Sequence, residues 1–434
     1  MTTEIPTCKH AAARLRREAP YAAACSQFIG QKATSVPPRS AIIRFGTHSP
    51  TVGGATTKDA NKKGTDMEYY TAIGIDVGDR TSKICVMAKD GGSRRIVEET
   101  TVATTREGFS EYLAAKSRDW PVAFETGVHC RWMASHIRGM GFKVHVANPA
   151  KLRQLTLSNA KNDTNDAREL ARYTLADVEL LHPVFLRPEP YQQMIRLLEA
   201  RMALVRTRTK LINEMRGFAK SMGFRIPKRD AAYFHRIDRS AWPKDLESLC
   251  WPLMDVLEAI ALKIRAFEKQ MHELADTDVF KSDVERVRQV FGVGFLCSTA
   301  FVAFLGGNYA RFAKARDVGP YLGLVPRQDQ SGDVDRQLPI TKAGSTMLRT
   351  LLTECAQVVL KDSAMTTDLK LKGERIHGKR SANSRKRAVT AVVRGLAVTM
   401  MALLKHPERE YRPLSDANRK LLERLAAGQE AIVA

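Results

Sequence analysis

The sequence predicts three parts: an α/β domain on a mixed sheet, a long helical hairpin of coiled-coil character, and a mainly α-helical C-terminal unit. Three observations carry this expectation. Between 70 and 182, short β-rich runs alternate with helical ones. From 190 to 275 turn residues thin out, and apolar residues recur at helical spacing in two blocks. Beyond 283 apolar helical stretches are broken by glycine turns and a dense basic run.

The elements follow in order. Residues 1–66 mix Ala, Arg, Thr, Gly and Pro without apolar periodicity and are expected to be a disordered basic extension; Met67 as the true initiator and a DNA-binding tail are the alternatives. Tyr70 to Val77, Ser82 to Ala88 and Arg95 to Val102 are expected as successive strands, separated by Gly-Asp and Asp-Gly-Gly turn signals. A helix is expected from Glu107 to Ser117, a strand from Val122 to Glu125, a helix from His129 to Met140 and a strand from Lys143 to Ala147, with helices on either side of Asp163. Three hairpin strands followed by alternating helix and strand is the order of a ribonuclease-H-like domain, assigned to 67–182. In 183–282 a rough seam runs from Met194 to Met222, interrupted by Arg201 and Arg208. A cleaner one steps through Leu246, Leu249, Leu253, Val256, Ile260, Ile264, Phe267, Met271 and Leu274. An antiparallel hairpin projecting from the core, or two amphipathic helices packed on the body, satisfies both. The unit 283–408 holds the Gly-Val-Gly of 292–294, a loop from Gly319 to Ile340, a basic run from Lys370 to Arg387 and a closing helix near 386–405; a tail, 409–434, follows.

Composition narrows the partners. The chain has 434 residues with 69 Lys+Arg against 47 Asp+Glu, a net +22, which points to a polyanion because each cation meeting a phosphate releases a condensed counterion. At 44% hydrophobic and 27% charged, disorder throughout and disulfide scaffolds are excluded. The seven cysteines never fall in a CxxC spacing, which suits a reducing cytoplasm, argues against structural zinc and leaves oxygen ligands for any metal. The uncharged stretch Val290 to Tyr309 carries four glycines and reads as buried helix and turn, so no membrane is expected.

Two apolar strands carry an acid late in their run. Asp76 sits late in the apolar strand of Ile-Gly-Ile-Asp-Val-Gly and Glu125 stops the strand of Val-Ala-Phe-Glu-Thr-Gly, where a carboxylate is costly unless paired or bound to a cation. Open α/β sheets put ligands beyond strand ends, and the two could sit on adjacent strands. Asp163 and Asp166, three apart, fall on one face of a helix. Four converging acids repel unless divalent ions lie between them, and two Mg²⁺ ions are the usual solution for phosphodiester chemistry. Singly, the strand-end acids also fit turn formers, and Asp-Thr-Asn-Asp fits a helix N-cap.

The ordered series Ile-Gly-Ile-Asp-Val-Gly, Phe-Glu-Thr-Gly, Val-Ala-Asn-Pro (146–149) and Asp-Thr-Asn-Asp-Ala (163–167) resembles the RuvC-like domain of DEDD-type insertion-sequence transposases, related to the Piv-type invertases. The resemblance resumes at Val290-Phe-Gly-Val-Gly, Arg311-Phe, Tyr321-Leu-Gly-Leu-Val-Pro, Gln330-Ser-Gly, Ile340-Thr-Lys-Ala-Gly and Leu348-Arg-Thr-Leu-Leu, similar to that family's C-terminal domain. It implies a metal-binding catalytic tetrad of Asp76, Glu125, Asp163 and Asp166, two Mg²⁺ or Mn²⁺ ions, and Ser331 as a nucleophile that links covalently to cleaved DNA. It further implies donor and target duplexes, a structured bridge RNA that pairs with both, and a dimer or tetramer.

From the residues alone, Ser331-Gly332 is more often a turn than a site, although Arg327, Arg336 and Lys342 lie close and could meet a phosphate. Asp333 and Asp335 stand where the family has small or basic residues, and Gly344-Ser345 replaces its more usual Gly-Asn or Gly-Asp. Phe291-Gly-Val-Gly before an apolar helix fits either a phosphate-binding helix-hairpin-helix or an ordinary turn. Lys370, Lys372, Arg375, Lys379, Arg380, Arg385, Lys386 and Arg387 form a cluster with one acid, Glu374; Gly373 and Gly378 suggest a flexible loop there, and with Arg349 the cations at 379, 380 and 385–387 are expected to bind nucleic acid. Three rivals stay open: an actin-like or sugar-kinase ATPase, whose second Asp-x-Gly loop and Gly-Gly motif are missing from their places; a junction nuclease using the tetrad alone; and a catalytically inactive nucleic-acid-binding protein.

Overall fold

The structure, a computed structural model, describes residues 70–149, 151–152, 163–331, 334–378 and 381–433, so the expectations for 1–66 and for Lys379 and Arg380 lie outside it. Continuous apolar runs in β1 (Thr71–Val77) and β2 (Thr81–Asp90), an alternating second half of β3 (Ser93–Ala103) and two tight turns make a meander. Thr105 caps α1 (Arg106–Ala114), its hydroxyl accepting from the Gly108 amide. Two four-residue strands, β4 (Val122–Glu125) and β5 (Val144–Ala147), flank α2 (Cys130–Gly139), and α3 (Asp163–Ala176) follows. The sheet order is β3-β2-β1-β4-β5, with the meander antiparallel and β4 and β5 parallel to β1. This mixed five-stranded sheet with helices on both faces is compatible with a ribonuclease-H-like fold. One face, with Ile73, Ile75 and Phe124, packs on α1 and α2; the other, with Ala72 and Ala123, packs on α3.

The contact of α3 with β1 runs through one glycine. A Cβ at Gly74 would lie 2.1 Å from the Ala167 carbonyl oxygen and 2.5 Å from the Ala171 amide, so nothing larger fits between strand and helix. Gly74→Val is expected to lower unfolding free energy by about 3 kcal/mol, as overpacking of a closed contact does. Gly139→Ala, with open space around it, should be neutral or mildly stabilising. Parallel denaturant titrations check both, and equal effects would count against the tight contact.

Two long helices come next, α4 (Glu189–Ser221) and α5 (Lys244–Ala275). They pair antiparallel: Met194, Ile195 and Leu198 pack with Met271 and Ala275 at the body, while Ile212, Met215 and Ala219 pack with Leu246, Cys250, Met254 and Leu257 at the far end. Arg201, expected to interrupt the seam, reaches across to Glu268 at 2.7 Å. The predicted seam holds at Leu246, Ile260, Ile264 and Met271, which are buried, and is corrected at two positions. Leu249 and Val256 are 48% and 46% exposed, and Cys250, Met254 and Leu257 take their place because they, not the neighbouring stripe, face α4.

The C-terminal region comprises α6 (Lys281–Arg288), α7 (Phe295–Leu305), the short α8 (Val318–Tyr321), the strands β6 (Pro326–Ser331) and β7 (Val334–Ile340), and four further helices: α9 (Thr346–Val359), α10 (Asp368–His377), α11 (Ala382–Lys405) and α12 (Asp416–Val433). Val290 to Tyr309 holds buried helix and turn, as expected. Helix α11 is long and apolar enough to cross a bilayer by length and composition, yet Val392, Leu396 and Met400 are fully buried in the core. Two expectations are overturned. The stretch expected as a loop to Ile340 contains the antiparallel pair β6–β7. The basic run is two helices rather than one loop, for Gly373 serves close packing: a Cβ there would lie 2.5 Å from Leu360 Cδ2. Lys370 is buried, its Nζ donating to the carbonyls of Asp362 and Ala364 at 3.0 and 2.8 Å, and is therefore withdrawn from the surface cluster.

Candidate active site

Strand register sets the site. Ile75 pairs with Phe124 in the parallel β1–β4 ladder, so Asp76 and Glu125, the next residue on each, stand side by side at the carboxyl ends of adjacent strands. Alternation along a strand puts Asp76 on the face of Ala72 and Gly74, and Glu125 on the face of Ala123. Both faces are the one covered by α3, through Ala167, Ala171 and Leu170. Asp163 is the first residue of α3, one turn before Ala167, and Asp166 is one turn before Leu170. Asp76, Glu125 and Asp166 are each half-buried. The structure thus brings two strand ends and one helix start to the same corner of the sheet.

Further contacts fix α3 there. Arg168 grips Glu99 of β3 with a two-pronged bond, Nε to Oε1 at 2.5 Å and Nη2 to Oε2 at 2.7 Å, and its hydrogen bond holds the Glu99 carboxyl below the usual carboxylate range. At the rim, past each strand end, His129 Nε2 lies 3.4 Å from Asp79 Oδ1, and Trp132 Nε1–H donates to His129 Nδ1 at 3.1 Å. That acceptor role puts the neutral ring's proton on Nε2, facing Asp79. Sequence reasoning missed this pair, although His129 follows the Glu-Thr-Gly turn and Asp79 the Asp-Val-Gly turn.

All the acids offer hard oxygen donors, which suit Mg²⁺ or Mn²⁺, and Mg²⁺ is commonly held through one or two carboxylates with water completing its shell. Among the described residues, no three His, Cys, Asp or Glu side chains close into a cage by themselves. The donor chemistry and the strand-end pair fit a hydrated divalent ion.

Ser331 lies elsewhere, as the last residue of β6 opposite Val334, with Gly332 and Asp333 outside the described residues. Arg336 pairs through its backbone with Asp329, and Arg327 is exposed on β6. At the base of this hairpin the Thr341 and Lys342 amides donate to Val325 and Gly323 at 2.9 and 3.0 Å. Lys342 is held there at φ 56°, a left-handed conformation sparse for any residue with a side chain. Arg349 donates to the Gly344 and Leu322 carbonyls at 2.6 and 3.2 Å and to Thr346 Oγ1 at 3.1 Å, bonds that stitch the hairpin base to α9. Ser345 caps α9, its hydroxyl accepting from Leu348, so the departure from Asn or Asp costs little: all three are good N-caps. Arg385, Lys386 and Arg387 are exposed in the first turns of α11, behind the cap Ser381.

Comparison with known proteins follows the same division. A family model described as Transposase, of the DEDD IS110 type, matches residues 73–223, and one described as Transposase IS116/IS110/IS902 family matches 284–369; together they span more than half of the chain. The chain is 29% identical over 300 residues to the transposase for insertion sequence element IS1328 of Yersinia enterocolitica, covering 68% of this chain and 85% of that one. It is 27% identical over 322 residues to the transposase for insertion sequence element IS1111A of Coxiella burnetii, covering 71% and 83% respectively. A probable family 20 transposase of Pseudomonas aeruginosa is 28% identical over 254 residues, 57% of this chain and 73% of that protein.

Proposed function

The chain belongs to the IS110/IS116 family of insertion-sequence transposases, and from that premise we propose that it cuts and rejoins DNA strands through a RuvC-like acidic site acting with Ser331. The observation that carries the reading is the pairing of Ile75 with Phe124, which sets Asp76 beside Glu125 on the face where α3 begins. Asp76, Glu125, Asp163 and Asp166 would hold two Mg²⁺ or Mn²⁺ ions, a group that would supply activation of the attacking oxygen and neutralisation of charge on the phosphodiester. The Ser331 hydroxyl displaces a sugar oxygen from the scissile phosphate, so the cut strand is retained as a phosphoserine ester. Attack by another strand's hydroxyl then releases the serine and rejoins the DNA, with no net loss of phosphodiester bonds. Arg327, Arg336 and Lys342 neutralise the phosphate beside the serine, and Lys379, Arg380, Arg385, Lys386 and Arg387 follow the nucleic-acid backbone. Arg349 supports the hairpin base from below. A structured bridge RNA selects donor and target by base pairing, and a dimer or tetramer holds both duplexes in the cytoplasm.

The test is recombination of a plasmid carrying the element's ends, with denatured products probed for protein bound to DNA. Chelation of divalent metal should abolish both recombination and adduct, and added Mg²⁺ should restore both. Absence of cutting in Mg²⁺ or Mn²⁺ would leave a binding protein; metal-dependent cutting with no adduct would leave a junction nuclease that uses the acids alone.

A further inference from the structure

The far end of the hairpin sorts its aromatic residues into two groups. Phe234 and Trp242 are buried in the apolar cluster that joins the arms. Tyr233 and Trp251, by contrast, are 48% and 49% exposed, and each carries a guanidinium: Arg236 lies 5.9 Å from the Tyr233 ring centre and Arg239 4.2 Å from that of Trp251. The connecting segment, 222–243, has five cations, Arg225, Lys228, Arg229, Arg236 and Arg239, against Asp230 and Asp238. Both acids are committed to local turns: Asp230 accepts from the Ala232 amide at 2.8 Å, and Asp238 from the Ser240 amide at 2.9 Å and its hydroxyl at 3.1 Å. Among the described residues none of the five cations forms an ion pair.

Exposed rings bearing arginines, beside cations without carboxylate partners, are what a nucleic-acid strand with unstacked bases requires: the ring receives a base plane and the cations receive its phosphates. A duplex, whose bases are already stacked, makes no use of the rings. Leu249, Val256 and Leu262 are also exposed along α5 and would suit a second copy of this chain, but a protein partner leaves the cations unanswered. Asp255 and Glu258, one and two turns beyond Trp251, bound the basic surface on its body side. From Leu198, the last α4 residue in the body cluster, to Ser221 the arm extends about 35 Å at the α-helical rise.

We propose that the end of this hairpin is a stacking platform for single-stranded nucleic acid, with Tyr233 and Trp251 receiving bases and Arg225, Lys228 and Arg229 receiving phosphates. The platform is separate from the acidic site and needs neither metal nor Ser331, so it stands or falls apart from the strand-transfer reading. Its test is binding of the full chain, in chelator, to labelled 20-nucleotide oligo-U RNA, oligo-dT DNA and a blunt DNA duplex. The Tyr233→Ala, Trp251→Ala double variant should lose at least about tenfold in single-strand affinity, with duplex affinity unchanged, because stacking serves only unpaired bases. The arm on which the loss falls, oligo-U or oligo-dT, identifies the strand as RNA or DNA. Phenylalanine at both positions should restore binding, which separates a lost ring from a lost fold. Photocrosslinking of iodouridine-substituted RNA and DNA to the unaltered protein should label peptides containing Tyr233 or Trp251. Equal losses on single strand and duplex, or crosslinks only outside 222–251, overturn the proposal. Unchanged binding with a shift in sedimentation would assign the surface to a second copy instead.

Discussion

Asp76→Asn is expected to abolish strand cutting, by on the order of 10³-fold or more, while leaving the fold intact, because the exchange keeps size and removes the charge that an ion requires. Asp76 stands at the end of a strand whose preceding residues are fully buried, so the asparagine is accommodated without repacking. Glu125→Gln should have a comparable effect, since the register makes it the neighbour of Asp76. The measurement is cleavage of a plasmid carrying the element's ends across a Mg²⁺ series, with a denaturant titration confirming unchanged stability. Retained cutting by both variants would remove the acids from the chemistry.

Ser331→Ala should eliminate the covalent protein-DNA adduct entirely and recombination with it, since no other atom at that position can form the ester. The backbone pairing of Ser331 with Val334 does not depend on the hydroxyl, so the β6–β7 hairpin should persist. Mass spectrometry of nuclease-trimmed products checks both points, locating the nucleotide on the peptide containing Ser331. An adduct that survives the alanine variant would assign the nucleophile elsewhere, and cutting that survives without an adduct would make the serine dispensable.

The sheet and its acids are legible because each strand is a short β-rich run and the meander's turns carry glycine and aspartate, and because an acid late in an apolar strand has few inexpensive explanations. What made the pair a site, the parallel neighbouring of β1 and β4, is a long-range pairing that local pattern does not encode. The hairpin shows the limit more sharply. On α5 the stripes through Leu249 and Val256 and through Cys250, Met254 and Leu257 both recur at helical spacing, and only the presence of α4 decides which is buried. Gly373 is ambiguous in sequence for a different reason: glycine serves both mobility and close approach, and here the Leu360 side chain takes the space a Cβ would occupy. Lys370 went with it, since a lysine in a charged run gives no hint that two carbonyls will draw its ammonium inward. The β6–β7 hairpin is not legible in the sequence because Pro326 to Ile340 is mostly polar and lacks the apolar alternation by which strands are recognised.

The hairpin's two apolar clusters are joined by a weaker stretch, where Arg201, Val205 and Arg208 of α4 are only half-buried and the Arg208 Nε, among the described residues, has no hydrogen-bond partner. Cooperativity is only as strong as the links between the units it couples. The far cluster should therefore melt as a unit of its own, before the body, and its amides should exchange with solvent together at lower cost than those of α7 or α11. Calorimetry of this chain is then expected to show more than one transition, and no single melting temperature will describe it.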